Sequence, residues 1–281
     1  MGSRSELIRL VKEIYPEAAV TFSTDAAEMG RVAREAVQRG SRLVVAGGGD
    51  GTVNSVASAV AGTQSVLGIL PLGTLNHFAR DLRIPMDLKA AIANLGTGQP
   101  VTVDVGEVNG HIFMNNSGLG LYPAIVRLRE KRQRRGQSKW VAAAFAAVQA
   151  LRHYRRLALH VKAGGKELVR RTSIAFLGNN EYAIEGVEIG TRSRLDAGVL
   201  CLYVTGETHG LKLFALTLGA LMGRLQKSPN YNKILAQEVW IRSKRRSIDV
   251  TLDGEVIRLL LPLHFRIRPG ALRVLVPVVW D

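Results

Sequence analysis

Apolar residues in the first hundred positions alternate between a helical and a strand period. They recur at helical spacing from Met29 to Val37, and Gly40 supplies a helix stop. A short apolar run, Leu43 to Ala46, then leads into a glycine-rich turn at residues 47–51 and a second helical stretch. Val66 to Leu70 forms another apolar run that leads into a glycine turn. Strands that alternate with helices in this way predict a parallel α/β domain.

The hydrophobic period changes to two from about residue 101 onward. Short alternating stretches between turn residues predict strands at 101–108, 111–116, 157–177 and 199–205, and a hairpin around Asp253-Gly254. This pattern predicts a mainly antiparallel β domain, either a sandwich or an open barrel.

The sequence therefore predicts the α/β fold class with two domains. An α/β domain is expected at residues 1–105 and a β-rich domain at residues 106–281. The second domain carries a basic helical insertion at about 122–154 and an apolar helix at about 211–225. Whether the last strand returns to the first domain is left open.

The net charge of +15 arises entirely in the second domain. Residues 1–105 contain 10 basic and 10 acidic side chains, whereas residues 106–281 contain 28 basic and 13 acidic ones. The densest part is residues 127–139, where seven basic residues accompany one acidic residue, Glu130. Such a field attracts polyanions, and the scarcity of aromatic residues near this run favours an anionic membrane surface over nucleic acid. A solvated helix face is the alternative interpretation.

Cysteine usage and hydropathy bear on the location of the protein. A single cysteine, Cys201, excludes an internal disulfide and favours a reducing compartment. No apolar run reaches the ~18 residues that a membrane-spanning helix needs. The charged residues 1–13 do not resemble a secretory signal. We therefore expect a cytoplasmic protein that binds peripherally at the inner face of the membrane.

The first chemical motif is Gly47-Gly48-Gly49-Asp50-Gly51-Thr52, with four glycines in five positions. Without Cβ atoms, backbone N–H groups can approach a phosphate, and the N-terminus of the following helix adds positive potential. Thr52 would cap the helix or bond a phosphate oxygen, and Asn54 lies one turn into that helix. The motif lacks the lysine of a Walker loop and the last glycine of a dinucleotide fingerprint. It predicts an anion-binding loop, with a tight strand-to-helix turn as the alternative.

Residues Gly48 to Thr52 resemble a loop shared by diacylglycerol kinase-like, sphingosine kinase-like, NAD kinase-like and phosphofructokinase-like enzymes. The second turn, Leu70 to Leu82, reads LPLGTLNHFARDL and resembles the diacylglycerol kinase catalytic-domain family, in its bacterial diacylglycerol/sphingosine kinase-like lipid kinase branch. The similarity continues at Asp104-Val105-Gly106, Asn115 to Gly120, Gly178-Asn179-Asn180, Leu195 to Gly198 and Asp253-Gly254-Glu255.

The resemblance implies a two-domain lipid kinase in which the nucleotide and the lipid hydroxyl meet between the domains. Magnesium-ATP would be the phosphate donor. The positions that would bind the nucleotide are Gly47, Gly48, Gly49, Asp50, Gly51, Thr52, Asn54, Gly73, Thr74 and Asn76. Glu255 would be the catalytic proton acceptor, with Asp253 as its close neighbour.

A carboxylate suits this role because phosphoryl transfer needs mainly positioning, charge neutralisation and a group that takes the proton of the alcohol. Asp253 and Glu255 are two positions apart, so a regular strand would present both on one face. Asp-Gly between alternating apolar runs is also typical of a hairpin turn. The two interpretations are compatible.

Two departures from the family pattern leave alternatives open. Family members usually have a second acidic residue after the position of Asp196 that helps to hold a structural magnesium, whereas this chain has Ala197. Either Asp196 alone is the metal ligand, or the metal site is absent. The family normally begins with a strand and an Asn-Pro-x-Ser-Gly-like loop, whereas residue 1 already lies near the first helix. Either the start is truncated or the nucleotide site is incomplete.

The leading hypothesis is ATP- and magnesium-dependent phosphorylation of a lipid alcohol, diacylglycerol-like or another long-chain lipid, at an anionic membrane surface. The alternatives are an NAD kinase-like small-molecule kinase and a lipid-binding remnant without catalysis. The sequence does not show which lipid is phosphorylated or whether the protein forms a homodimer.

Overall fold

The structure, a computed structural model, describes residues 4–133, 157–182, 192, 194–205 and 231–278. It divides the chain into two compact units. Unit 1 comprises Met1–Val103 and Gly270–Asp281, and unit 2 comprises Asp104–Pro269. The predicted helix at 211–225 and the part of the basic insertion between residues 134 and 154 lie outside the described residues.

The helices and strands alternate first and then give way to strands. The described helices are α1 (Arg4–Ile14), α2 (Ala26–Gln38), α3 (Asp50–Val60), α4 (His77–Asp81), α5 (Leu88–Thr97) and α6 (Leu121–Gln133). The strands of the first half are β1 (Leu43–Gly48), β2 (Val66–Pro71), β3 (Gln99–Val108), β4 (His111–Phe113) and β5 (Asn116–Gly120). Those that follow are β6 (Leu157–Ala163), β7 (Lys166–Thr172), β8 (Ile174–Asn179), β9 (Leu200–Thr205), β10 (Tyr231–Ala236), β11 (Glu238–Arg242), β12 (Ser247–Leu252), β13 (Glu255–Leu260) and β14 (Leu263–Val276). No described helix has the length and hydropathy required to cross a membrane.

Unit 1 is built on parallel strands covered by helices. β1 pairs with β2 in parallel, and the end of β14 adds a further parallel strand beside β2. α2 begins at its cap Asp25, whose side chain accepts the Ala27 N–H at 2.9 Å, and ends shortly before Gly40, which has a φ of 84°. α3 packs against α2 and β1. The predicted parallel α/β fold is confirmed.

Unit 2 is a β-sandwich. One sheet has the antiparallel order β10-β9-β8-β5-β12-β13. In the other, β7, β6, β11 and the first half of β14 pair antiparallel in that order. Buried side chains from both sheets form one core, in which Phe113 and Phe265 meet edge to face with 6.4 Å between their ring centroids. Of the two architectures predicted for the second domain, the structure has the sandwich.

The predicted strand at 111–116 is divided into two strands. β4 ends at Phe113 and pairs with β3, whereas β5 begins at Asn116 and pairs with β8 and β12. Between them, the N–H groups of Met114 and Asn115 donate to the side chain of Asp253 at 2.7 and 2.8 Å. The prediction of one strand was wrong because a distant carboxylate, which the local pattern does not show, replaces the strand partner of these N–H groups.

Candidate functional site

The two glycine turns of unit 1 lie side by side at the carboxyl ends of β1 and β2. Gly48 is the register partner of Pro71, and the Leu72 N–H donates to the Gly48 carbonyl at 3.1 Å. A Cβ on Gly73 would overlap the Cα of Gly49, so the two backbones touch at these glycines. Because parallel strands end at the same sheet edge, the structure brings both predicted nucleotide-binding turns into one site.

The first turn leads directly into α3. Gly49 is the N-cap and offers no side chain to the first N–H groups of the helix. Thr52 packs over Gly48, where a Cβ would lie only 2.6 Å from the Cβ of Thr52. An uncapped helix N-terminus presents N–H donors and positive partial charge, and both favour the binding of phosphate. Residues 47–52 therefore form a glycine-lined turn before an uncapped helix start, a geometry that suits an anion, and the binding of phosphate there stays a prediction.

Three further predicted nucleotide-binding residues have polar side chains: Asp50 and Asn54 on α3, and Thr74 on the second turn. Asp50 Oδ1 accepts the Phe78 N–H at 3.4 Å, which links α3 to the residues after the second turn. Asn54 Oδ1 is buried and has no hydrogen-bond partner in the described parts of the chain. A buried acceptor without a donor fits a hydroxyl of a ligand or a water molecule. Thr74 is exposed on the second turn.

Asn76 shapes the second turn with its own side chain. It is buried, its φ is 49°, and its Oδ1 accepts the Gly73 N–H at 3.0 Å. Its Nδ2 donates to the carbonyls of Gly73 at 2.8 Å and of Pro71 at 3.3 Å. These bonds hold the turn in shape from within. A direct contact of Asn76 with the nucleotide stays a prediction.

Asp253 and Gly254 form the two-residue turn between β12 and β13. Their φ angles are 48° and 89°, and Leu252 is the register partner of Glu255. Two successive left-handed residues are typical of the hairpin turn that Asp-Gly favours. Glu255 is therefore the first residue of β13, and it is exposed.

The carboxylate of Asp253 holds the segment between β4 and β5. Its Oδ2 accepts the Met114 N–H at 2.7 Å, and its Oδ1 accepts the N–H groups of Asn115 at 2.8 Å and Asn116 at 2.9 Å. The Asp253 N–H in turn donates to the Asn116 carbonyl at 2.9 Å. Asp253 is thus a positioning residue for the hairpin turn that carries Glu255.

Arg192 binds the same segment, between β4 and β5, by donating hydrogen bonds to the oxygen atoms of that segment. The side chain is buried, and Nη1 donates to the carbonyls of Met114 at 2.6 Å and Asn179 at 3.1 Å. Its Nη2 donates to Asn115 Oδ1 at 2.8 Å. A buried arginine and a partly buried aspartate therefore bind the same segment, one through its oxygen atoms and the other through its N–H groups. Arg192 could not be identified from the sequence, since an isolated arginine outside any periodic pattern gives no local signal.

Asp253 makes the stability of the protein depend on pH. Burial raises its pKa to about 6, against the opposing effects of the three N–H donors and Arg192. The folded protein favours the protonated carboxyl, because the pKa of Asp253 in the fold lies above the ordinary value of 3.8. The stabilisation from this effect is complete below pH 3.8 and is lost as the pH rises to about 6. We expect the free energy of unfolding of wild type, relative to Asp253→Asn, to fall by about 2 kcal/mol between about pH 4 and pH 7.5. Denaturant titrations of both proteins at the two pH values measure this difference, and an unchanged difference would contradict it.

Asp196, the predicted metal ligand, pairs with Arg194. Nε and Nη2 of Arg194 donate to its two carboxylate oxygens at 3.0 and 3.3 Å, and these bonds lower the pKa of Asp196. Within the ranges that the structure describes, no group of three or more His, Cys, Asp or Glu side chains could hold a metal ion. Asp196 is therefore engaged by Arg194 in this structure, its role as a metal ligand stays a prediction, and no chemical step is assigned to a metal there.

Two protein families match the chain, one in each half. The diacylglycerol kinase catalytic domain matches residues 2–108. The YegS C-terminal NAD kinase beta sandwich-like domain matches residues 122–276.

Similar proteins extend over most of the chain. A protein of Pseudomonas syringae pv. tomato named "Probable lipid kinase YegS-like" is 31% identical over 270 residues, which cover 93% of this chain and 84% of the relative. A protein of the same name from Pseudomonas aeruginosa is 32% identical over 275 residues, which cover 95% of this chain and 87% of the relative.

Solved structures share the fold. A diacylglycerol kinase from Bacillus anthracis superposes with a TM-score of 0.71 at 17% identity, covering 100% of this chain and 94% of its own. Yeast NADH kinase complexed with NADH superposes with a TM-score of 0.52 at 13% identity, covering 98% of this chain and 80% of its own. From the two family matches and the full-length relatives, the chain belongs to the YegS-like lipid kinases of the diacylglycerol kinase catalytic-domain family.

Proposed function

We propose that the protein transfers the γ-phosphoryl group of ATP to the hydroxyl of a lipid alcohol, either diacylglycerol-like or another long-chain lipid. The observation that carries this proposal is the contact between the two glycine turns at Gly49 and Gly73, beside the uncapped N-terminus of α3. Membership of the YegS-like lipid kinases supports the choice of a lipid as acceptor.

The nucleotide would bind to unit 1. The N–H groups at the start of α3 would donate to phosphate oxygens, and the glycines allow the phosphates to approach the backbone. Asn54 Oδ1 would accept from a hydroxyl of the nucleotide or from water, because it has no donor among the residues described. Magnesium carried by ATP would offset the negative charge of the triphosphate.

The lipid hydroxyl would be activated from unit 2. Its oxygen forms a bond to the γ-phosphorus while the bond from that phosphorus to the β–γ bridging oxygen breaks, and ADP leaves with the electron pair. Glu255 takes the proton of the hydroxyl. Asp253 and Arg192 keep the turn before Glu255 in place, which matters because small displacements of a proton acceptor slow the reaction.

A lipid substrate requires contact with a membrane, and we propose peripheral binding at the inner face of the cytoplasmic membrane. α6 carries the described part of the basic run. Lys131 is exposed, whereas Arg127 pairs with Asp249 at 2.9 Å, a carboxylate that Arg258 shares, so the charge of Arg127 is offset only in part. The remaining cations of the run, Arg134, Arg135 and Lys139, lie outside the described residues.

An assay with labelled ATP and magnesium tests the proposal against a small-molecule kinase. Three acceptors are offered side by side: mixed-lipid vesicles, a lipid alcohol dispersed in detergent, and NAD. We expect label in the lipid fraction and none in NAD, since the acceptor is a lipid hydroxyl. Labelled NAD without labelled lipid would favour the NAD kinase-like alternative. The absence of both products together with the absence of ATP binding would favour a lipid-binding remnant.

A further inference from the structure

Three turns at one end of unit 2 form a surface that combines exposed cations with exposed apolar side chains. They are residues 243–246 between β11 and β12, residues 261–262 between β13 and β14, and residues 109–110 between β3 and β4. We call these turns, with the flanking Arg242 and Leu260, the cationic tip. None of these residues belongs to the glycine turns or to the segment around Glu255.

Hydrogen bonds hold the three turns together. Asn109 Nδ2 donates to the carbonyls of Leu260 at 3.1 Å and Pro262 at 3.2 Å, and Asn109 Oδ1 accepts the His264 N–H at 2.8 Å. The Leu261 N–H donates to the Arg246 carbonyl at 3.1 Å. Because the turns are bonded to one another, the side chains that they present form one surface with a defined arrangement.

The cationic tip carries four basic side chains and no acidic one. Arg242, Lys244, Arg245 and Arg246 are all exposed. In the part of the chain that the structure describes, none of them pairs with a carboxylate, because the acidic residues of the adjoining strands have other partners. Asp249 pairs with Arg127 and Arg258, Glu107 pairs with Arg266 and Arg268, and Glu238 lies beside His264.

Aliphatic side chains stand among these cations. Leu260 is 63% exposed, Pro262 is exposed, and Leu261 is partly buried. A single exposed leucine is ordinary, but an exposed leucine on a turn bonded to one that carries unneutralised cations matches the interface of an anionic bilayer, where cations meet headgroups and apolar side chains enter the acyl boundary. The three turns contain no aromatic residue, which disfavours single-stranded nucleic acid as the ligand.

We propose that the cationic tip docks the protein on an anionic lipid bilayer, and this inference rests on the proposed function, in which the substrate stays in a membrane. The tip and the proposed proton acceptor share β13, with Glu255 at its first residue and Leu260 at its last. These ends are ~17 Å apart along the strand. β13 is also the last strand of its sheet among the strands described. If the protein lies with the β13 edge of this sheet along the bilayer, Glu255 and Leu260 both reach the membrane surface.

Binding of the full chain to vesicles without ATP tests the proposal apart from any catalysis. The variant Lys244→Gln/Arg245→Gln/Arg246→Gln removes three cations of the tip. We expect its partitioning onto vesicles that contain anionic lipid to fall on the order of 100-fold at low salt, since each cation near such a surface contributes about fivefold. Leu260→Ser is expected to reduce partitioning about tenfold, and this loss should persist at high salt because it removes apolar contact.

The matched control removes three exposed cations of β7 in the same unit, as Lys166→Gln/Arg170→Gln/Arg171→Gln. It changes the net charge equally, so we expect a loss of less than about threefold if the contact is confined to the tip. Equal losses in both triple variants, or no loss in the tip variant, would overturn the proposal. Tighter binding of wild type to an RNA oligonucleotide than to anionic vesicles would do the same.

The kinase assay on a detergent-dispersed lipid alcohol separates this proposal from the proposed function. We expect the tip variant to retain wild-type turnover there, because no bilayer is involved. Loss of vesicle binding in the tip variant supports the docking surface even if wild type phosphorylates no lipid. Wild-type vesicle binding in the tip variant contradicts the docking surface even if the kinase activity is confirmed.

Discussion

Glu255→Gln is expected to lower the rate of phosphoryl transfer by about two to four orders of magnitude. The amide has nearly the shape of the carboxylate but cannot take the proton of the lipid hydroxyl. Since Glu255 is exposed at the start of β13, its replacement should leave the sandwich core and the binding of ATP unchanged. Single-turnover measurements with labelled ATP, together with thermal unfolding of both proteins, separate the loss of chemistry from a loss of folding.

Glu167→Gln is the matched control for this variant. Glu167 is an exposed glutamate on β7 of the same unit, where it pairs with Lys162 at 3.5 Å, far along the chain from the hairpin of Asp253. We expect its turnover to stay within about twofold of wild type, as for surface substitutions away from a site. Wild-type turnover in Glu255→Gln would show that the proton acceptor is another group.

Gly73→Ala is expected to weaken the binding of ATP at least about tenfold. The added methyl group would overlap the Cα of Gly49 and lie 2.6 Å from Asn76 Oδ1, so the two glycine turns must separate. Such overpacking costs about 1–3 kcal/mol, and the displaced turn no longer presents its N–H groups to the phosphates. Titration of the protein with ATP should show at least about a tenfold loss of affinity, which equals 1.4 kcal/mol.

Gly96→Ala provides the comparison within unit 1. Gly96 is exposed on α5, and a Cβ there would lie 3.1 Å from Ile14 Cγ2, the end of a side chain that can shift. Alanine also favours the helix, so we expect the affinity for ATP and the stability to remain near those of wild type. Full ATP affinity in Gly73→Ala would mean that the close contact of the two turns is not needed for nucleotide binding.

Local patterns predict the parts of this fold that local forces determine. Val66 to Leu70 reads as an uninterrupted apolar run because β2 is buried between parallel neighbours, β1 on one side and the end of β14 on the other. The glycine turns could likewise be identified from the sequence, because so many glycines in one short stretch indicate a close approach to the backbone. Their contact follows from the parallel pairing of the strands that precede them.

The parts that could not be predicted depend on contacts between distant residues. The N–H groups of Met114 and Asn115 find their acceptor in Asp253, more than a hundred positions further along the chain. Arg192 reaches the same segment from another part of unit 2. Neither contact leaves a periodic pattern in the sequence, whereas the hairpin turn at Asp253-Gly254 could be predicted from the Asp-Gly pair and is confirmed by the register of β12 and β13.

The transfer of phosphate to a lipid alcohol is measured by mass spectrometry of a bacterial lipid extract incubated with the protein, ATP and magnesium. Phosphomonoesters of lipid alcohols are expected with wild type, and none with Glu255→Gln or without ATP. A lipid extract that remains unchanged in the presence of folded, ATP-binding wild-type protein would contradict this expectation.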